Sequence, residues 1–318
     1  MFDALVRRAR WLLPLLIAAL LLPWASPWLH GRGGRVAWLL DLAVHWQWLY
    51  VVALVPAVLL LVWRDRRWWA LGLLAVLPWW TAAPRLPAAT DASQLALFRV
   101  ISANVHLGTT SPERLIAWTD DAPVDVLVLL EVSPAYAQAL THWTAYPHRV
   151  VVPGHDPFGI AVLSRHPIAT QAILRDDRGI AAIDVAIDTP QGCVAVRAVH
   201  PMPPISPDDK RVRDRFLAAV AAAMNERGMP SLIAGDFNAT PWSSAFAPFA
   251  AQGWRRASGL APTWPVRGRG VVGIPIDHVL ASRHWQRIDA TRGPDLGSDH
   301  YPVRVVLGRP ATAPCDES

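Results

Sequence analysis

Cysteine is nearly absent: Cys193 and Cys315 are the only two among 318 residues. Two thiols, one of them in a polar tail, build neither a disulfide framework nor a cysteine metal site. They stay compatible with an oxidising compartment. A basic surface is missing too, despite a net charge of +5. Residues 1–97 carry nine Arg against four Asp, whereas residues 98–307 carry 20 basic against 19 acidic residues. The excess belongs to the N-terminal region, where Arg beside apolar runs sets membrane orientation and favours anionic lipid. A domain this close to neutral argues against a strong polyanion binder. There is no internal repeat, and no low-complexity segment beyond an Ala-rich bias.

What the chain has in excess is apolar residues, 53% of the total, and tryptophan, 17 in all, most of them before residue 81. Three apolar stretches come first: 11–29, 36–63 and 68–83. A membrane-crossing helix needs about 20 residues. The first two stretches qualify. The third is short, but paired Trp at both ends suit two membrane interfaces. A cleavable signal peptide is the competing reading of the first stretch, but its run is longer than the usual apolar region and two more stretches follow. Arg7, Arg8 and Arg10, and the run "RDRR" at 64–67, mark the cytoplasmic ends. Three spans then put everything after about residue 84 outside the cytoplasm; if the third stretch is only interfacial, the domain flips inside. Asp41, His45 and Gln47 fall within the second stretch; ionisable groups there are functional candidates, but these lie near one end, where water or headgroups reach them, and the bland reading is preferred.

"PRLPAATDASQ" at 84–94 reads as a linker. The resulting division is a three-span anchor over 1–83, a linker over 84–97, a catalytic domain over 98–308 and a polar tail over 309–318. Within the domain, β-like runs recur at 98–105, 124–132, 159–165, 181–187, 193–200, 231–237, 275–282 and 301–307. Helical patterns cover 111–120, 133–142 and 207–227. This is an α/β pattern.

Polar residues gather at the ends of those runs. Asn104 ends "VISAN", Glu131 ends "VLVLLE" and His200 ends "VAVRAVH". Asp236 and Asn238 close "LIAGDFN", Asp277 sits in "PIDHV", and Asp299 and His300 follow in "GSDH". Singly, each has an ordinary explanation as a turn former, a helix-start acid or a loop residue. A carboxylate after five apolar residues, however, is costly to bury without a partner. Acid, amide and imidazole groups at successive strand ends are what metal-assisted attack on phosphorus requires.

The ordered set "SANV", "LLEV", "GIAVLSRHPI", "VHPMPP", "AGDFNATP", "IDHV" and "GSDHYPV" resembles the endonuclease/exonuclease/phosphatase superfamily over residues 98–307. The anchored layout and "HPMPP" are similar to its membrane-anchored YafD-like and teicoplanin-resistance-protein-like branch. The resemblance implies a four-layer αββα sandwich of the DNase I type behind a three-helix transmembrane bundle. It implies a metal held by Glu131 and Asp299 with Asn104 nearby, and a catalytic set of His200, Asp236, Asn238, Asp277 and His300. Asp236 orients or deprotonates water, Asn238 bonds a phosphoryl oxygen, and Asp277 holds His300. His106 stands where some nucleases carry a further acid, so one Mg²⁺, with Mn²⁺ as the alternative, is expected rather than two. His278 reads as structural or as a support behind the site residues, and His166 has no assigned role. The expected substrate is a phosphorylated lipid or envelope lipid carrier at the bilayer. An extracytoplasmic nuclease is the alternative, with "KRVRDR" at 210–215 and Arg255, Arg256, Arg267 and Arg269 as its candidate patches. No protein partner is inferred.

Overall fold

The computed structural model describes residues 1–311 and 315; most of the tail assigned to 309–318 lies outside the described residues. The N-terminal region holds α1 (Phe2–Ala25), α2 (Arg35–Val44), α3 (Gln47–Arg64) and the short α4 (Leu77–Thr81). Among the described residues, two helical segments are long and apolar enough to cross a membrane, Phe2–Leu29 and Gln47–Arg64. The count of three long spanning helices is corrected on two points. The second apolar stretch breaks at His45 and Trp46 into α2 and α3. The third forms a 3-10 helix over Arg66–Val76 and then the five residues of α4.

These elements pack against one another in antiparallel order. Phe2 meets Trp63 at one end, with ring centroids 5.2 Å apart. Val58 lies beside Gly72 in the middle. Trp48 meets Trp79 at the other end, 4.5 Å apart. Their outer faces are apolar: Trp11 is 81% exposed and Trp63 80%, with Leu15, Val52 and Leu59 between them.

Two six-stranded mixed sheets make the rest. The first comprises β1 (Ala96–Asn104), β2 (Val126–Leu130), β3 (His148–Val152), β4 (Ile160–Ser164), β11 (Gln286–Arg292) and β12 (Val303–Arg309), in the order β11-β12-β1-β2-β4-β3. The second comprises β5 (Ile168–Arg175), β6 (Ala181–Thr189), β7 (Gly192–Val199), β8 (Ser231–Asp236), β9 (Arg255–Arg256) and β10 (Asp277–Ala281), in the order β5-β6-β7-β8-β10-β9. Their inner faces share one core of Val100, Val126, Val128, Ile183, Val185, Val196 and Leu232, among others. Outside the first sheet lie α5 (Glu113–Asp121) and α6 (Pro134–Leu140). Outside the second lie α7 (Pro207–Asn225) and α8 (Ala247–Ala251). Ser133 and Ser206 start α6 and α7 by accepting the amides of Tyr136 and Asp209, satisfying donors left free in the first turn.

Residues 84–97 hold to this sandwich. Leu86 is buried in the shared core, and Arg85 and Ala88 form bridges with Arg256 and Arg287. Cys193 and Cys315 are joined in one disulfide, a single cross-link rather than a framework.

The topology creates a site at one end. β1 and β2 run parallel, as do β7 and β8, so four strands finish together. β10 and β12 run antiparallel to β8 and β1 and therefore start at that end. Asn104, Glu131, His200, Asp236, Asp277, Asp299 and His300 all fall at those termini.

Candidate active site

Asp236, the last residue of β8, stands opposite Asp277, the first of β10. Two buried carboxylates side by side repel, and neighbouring groups relieve that. Asp277 accepts a hydrogen bond from His300 Nδ1 at 2.9 Å. Asp236 Oδ1 accepts the Asn238 amide at 2.8 Å and Oδ2 accepts Asn104 Nδ2 at 3.4 Å. His200 and His300 place their Nε2 atoms 3.7 and 3.8 Å from Asp236 Oδ2.

Charge follows from that arrangement. Burial works against a cationic His300, but Asp277, Asp236 and Asp299 outweigh it and push its pKa up to about 10. Burial and the adjacent His300 push His200 down to about 3, so His200 is neutral at ordinary pH. Burial and the Asp277 charge raise the Asp236 carboxyl to about 7. One cationic and one neutral imidazole therefore face a carboxyl poised near neutrality, a pairing suited to acid and base work at phosphorus.

Glu131 follows β2 with a positive φ of 60°. Its Oε1 accepts Asn104 Nδ2 and its Oε2 the Leu107 amide, both at 2.9 Å. Asn104 thus ties Glu131 to Asp236. Asp299 lies on the open side, its side chain 49% exposed, and accepts the Trp264 indole N–H at 3.1 Å. His106 Nδ1 sits 3.4 Å from Asp299 Oδ1 and 3.7 Å from Glu131 Oε2.

Glu131, Asp299 and Asn104 offer carboxylate and amide oxygens, the donor type that hard divalent cations take, although Asn104 Oδ1 also accepts the His106 amide at 3.0 Å. Among the described residues, Asp236, Asp277 and His300 also bring ligand atoms within 4.8 Å of one another. In that group the His300 Nδ1–H is given to Asp277, which makes it an imidazole–carboxylate pair rather than a metal cage.

Asn238 takes a left-handed φ of 46° and donates Nδ2 to the Pro201 carbonyl at 3.0 Å; among the described residues its second amide N–H has no hydrogen-bond acceptor. Glu131, His200, Asp236, Asn238, Asp299 and His300 line a cavity of about 470 Å³. Asn104 and Asp277 hydrogen-bond to these residues. All eight sequence-selected residues therefore converge.

Several wall residues were not selected from sequence. Phe158 lies 5.5 Å from the His200 ring and Trp264 6.3 Å from the His300 ring. Pro203, Pro204, Ile205, Ile274 and Ile276 add apolar surface. Leu42, His45 and Trp46 close the cavity from the α2–α3 elbow. The reading of Asp41, His45 and Gln47 as groups within reach of water is corrected. Asp41 and Gln47 are 0% exposed. His45 bonds Thr240 of the catalytic domain. An intramembrane-type acid was the available signal; its closest charged partner is Arg213, far along the chain, at 2.7 Å. His278 is structural: it is buried, with Nε2 3.0 Å from the Ala239 carbonyl. His166 pairs with Asp125 away from the cavity.

Residues 101–300 match the model of the endonuclease/exonuclease/phosphatase family. No curated protein matches the chain. Solved structures share the fold at low identity. An endonuclease/exonuclease/phosphatase from Beutenbergia cavernae is 20% identical, with 67% of this chain and 72% of that one covered and a TM-score of 0.56. D. rerio TDP2 complexed with single-strand DNA product is 15% identical, with 67% and 99% covered and a TM-score of 0.56. A family member from Bacteroides vulgatus is 14% identical, with 67% and 99% covered and a TM-score of 0.54. The convergent strand-end residues and the match across the domain lead to one assignment: the chain belongs to the endonuclease/exonuclease/phosphatase family, and it is a hydrolase of phosphate esters.

Proposed function

We propose that this protein is a membrane-anchored, divalent-metal-dependent phosphohydrolase that cleaves a phosphoester or pyrophosphate bond of a lipid or envelope lipid carrier. The observation that carries this reading is the shared cavity. It is lined by the acid, amide and imidazole groups and also by Leu42, Trp46, Phe158, Pro203 and Ile205. A phosphate held by the polar groups leaves its organic substituent against that apolar lining, part of which comes from the N-terminal helices.

Glu131 and Asp299, with Asn104 beside them, would hold the divalent metal, which would supply charge neutralisation at the phosphoryl oxygens. The rest is done by side chains. Asp236 orients or deprotonates the attacking water, which its raised pKa suits. Asn238 donates its free N–H to a phosphoryl oxygen. His300, held cationic by Asp277, offsets the charge that develops on phosphorus or serves the leaving group. His200, neutral, contributes a contact to phosphate.

We further infer that the catalytic domain lies outside the cytoplasm. The apolar residues 68–76 of the 3-10 segment rise about 2 Å each and with α4 reach about 25 Å, most of the hydrocarbon core. Its Arg end lies beside the start of α1, and Pro78 accepts the Trp242 indole N–H at the domain end. The Cys193–Cys315 bond favours the same compartment.

The nuclease alternative loses one of its patches. Lys210 and Arg213 of "KRVRDR" are buried and pair with Asp214 and Asp41. Arg211 and Arg215 pair with Asp208 and Asp177. Of the second patch, Arg255, Arg267 and Arg269 stay exposed and Arg256 is buried. The deciding assay uses detergent-solubilised protein with Mg²⁺ or Mn²⁺ on polyprenyl pyrophosphate, a phosphodiester lipid and plasmid DNA, with His300→Ala as control. Lipid turnover lost in the variant is expected. DNA nicking without lipid turnover overturns the lipid reading, and equal rates in both proteins overturn the catalytic one.

A further inference from the structure

The segment Asp236–Thr240 leaves β8 carrying the two residues with the most exacting positions. Asn238 sits there in a left-handed conformation that a non-glycine residue holds only when its surroundings fix it. Two of the tethers that fix it lead out of the sandwich into α2.

The first runs through Arg213 of α7. Its Nη1 donates to the Asn238 carbonyl at 3.0 Å. Its Nη2 donates to Asp41 Oδ2 at 2.7 Å and to Asp214 Oδ1 at 2.8 Å. Asp41 Oδ1 in turn accepts Ser243 Oγ at 2.8 Å and Ser244 Oγ at 3.2 Å, just beyond the same loop. Arg213, Asp41 and Asp214 are all fully buried. A guanidinium in a dry site needs both acids, so removing Asp41 leaves it short of one counter-charge.

The second tether is His45. Thr240 N–H donates to His45 Nδ1 at 3.3 Å, and Thr240 Oγ1 lies 2.9 Å from the same nitrogen. A backbone N–H only donates, so Nδ1 is the unprotonated nitrogen and the ring carries its proton on Nε2, 3.7 Å from Asp41 Oδ2. The two tethers therefore meet at one turn of α2, four residues apart. The neighbouring Leu42 and Trp46 form cavity wall.

We propose that Asp41 and His45 are positioning residues for the catalytic loop: α2, which belongs to the membrane region, holds Asn238 and Thr240 in place, and the sandwich alone lacks a complete site. This rests on the reading that Asn238 contacts the phosphoryl group. It does not depend on whether the substrate is a lipid or a nucleic acid.

The experiment uses the full chain in detergent, with bis(4-nitrophenyl) phosphate and Mn²⁺ as the probe. It also follows hydrogen exchange over residues 236–244, which needs no substrate. His45→Ala is expected to lower kcat/KM about 100-fold, the cost of a small misplacement at a reacting centre. Melting temperature and Mn²⁺ affinity should stay near wild type, and exchange at 236–244 should quicken at least about tenfold. His45→Asn puts an amide oxygen where Nδ1 stood and is expected to recover most of the activity. If Asp41→Asn does not fold, the paired change Asp41→Asn with Arg213→Gln removes the tether without a stranded charge and should give the same local loosening. Unchanged exchange at 236–244 in His45→Ala overturns the proposal. So does a loss spread over the whole domain with a lowered melting temperature, since that marks α2 as mere support. A wild type inactive on lipid pyrophosphate sinks the substrate reading and leaves the exchange result standing.

Discussion

Gly235 lies between Ala234 and Asp236 in β8, with φ at +153°. A Cβ built there would sit 1.8 Å from the Val199 carbonyl oxygen and 2.9 Å from its carbon. Both are backbone atoms, so no side chain can turn aside. Ordinary van der Waals contact begins above 3.4 Å, so β7 and β8 must part by more than an ångström, and their parallel pairing is lost at that register. Gly253 is the internal control. It has φ +81° and nothing within 4 Å of a built Cβ, so Gly253→Ala carries only the backbone term of about 1 kcal/mol. Gly235→Ala adds the broken strand contact and is expected to cost about 3 kcal/mol or more. Thermal unfolding followed by tryptophan fluorescence checks the difference. The site should suffer beyond stability, because β7 delivers His200 and β8 delivers Asp236, which stand 3.7 Å apart. Hydrolysis measured well below the melting temperature should fall about 100-fold in Gly235→Ala and stay at wild-type level in Gly253→Ala. Equal melting losses in the two variants, or a fully active Gly235→Ala, refute the reasoning.

Two further predictions concern the metal and pH. Glu131→Gln and Asp299→Asn should each weaken Mn²⁺ binding by about 100-fold in titration calorimetry, while Asp277→Asn should not; loss of binding in Asp277→Asn alone would relocate the metal to the Asp236–Asp277–His300 cluster. Burial and nearby Arg256 hold His278 neutral in the folded state, its pKa pushed down to about 3. The unfolded chain takes up that proton near 6.5, so the folded state loses stability as pH falls from about 6.5 toward 3. The slope is about 1.4 kcal/mol per pH unit for this group. His278→Asn should flatten the dependence of unfolding free energy on pH by that amount, and an unaltered slope contradicts it.

Much of the catalytic half is legible in the sequence because buried strands read as apolar runs. The eight expected runs correspond to β1, β2, β4, β6, β7, β8, β10 and β12. Those missed, β3, β5, β9 and β11, occupy the four sheet edges. An edge strand has little to bury: seven of the eight residues of β5 are exposed. It therefore carries no apolar alternation to detect. The three expected helices match α5, α6 and α7, and the five-residue α8 is too short for a periodic pattern. The eight selected site residues were legible because polar groups ending apolar runs stand out. Phe158 and Trp264 were not, since an aromatic in a loop looks the same whether it walls a cavity or faces water. The elbow was least legible of all. Asp41, His45 and Gln47 interrupt the apolar run, but polar groups alone do not mark a helix end, and their partners Arg213, Thr240 and Ala19 are distant in sequence. The 3-10 form of 66–76 was equally hidden, because composition fixes apolarity but not rise per residue.

On the proposed function, phosphate chemistry at Asp236 and His300 serves a substrate whose apolar part lies against the α2–α3 elbow. A polyprenyl phosphate with a photoreactive group near its headgroup tests this directly on the full-length protein in lipid nanodiscs. Cross-links are expected at Leu42–Trp46 and Pro203–Ile205, and an unlabelled polyprenyl phosphonate should compete them away. Labelling confined to the outward faces of α1 and α3, with no competition, contradicts it.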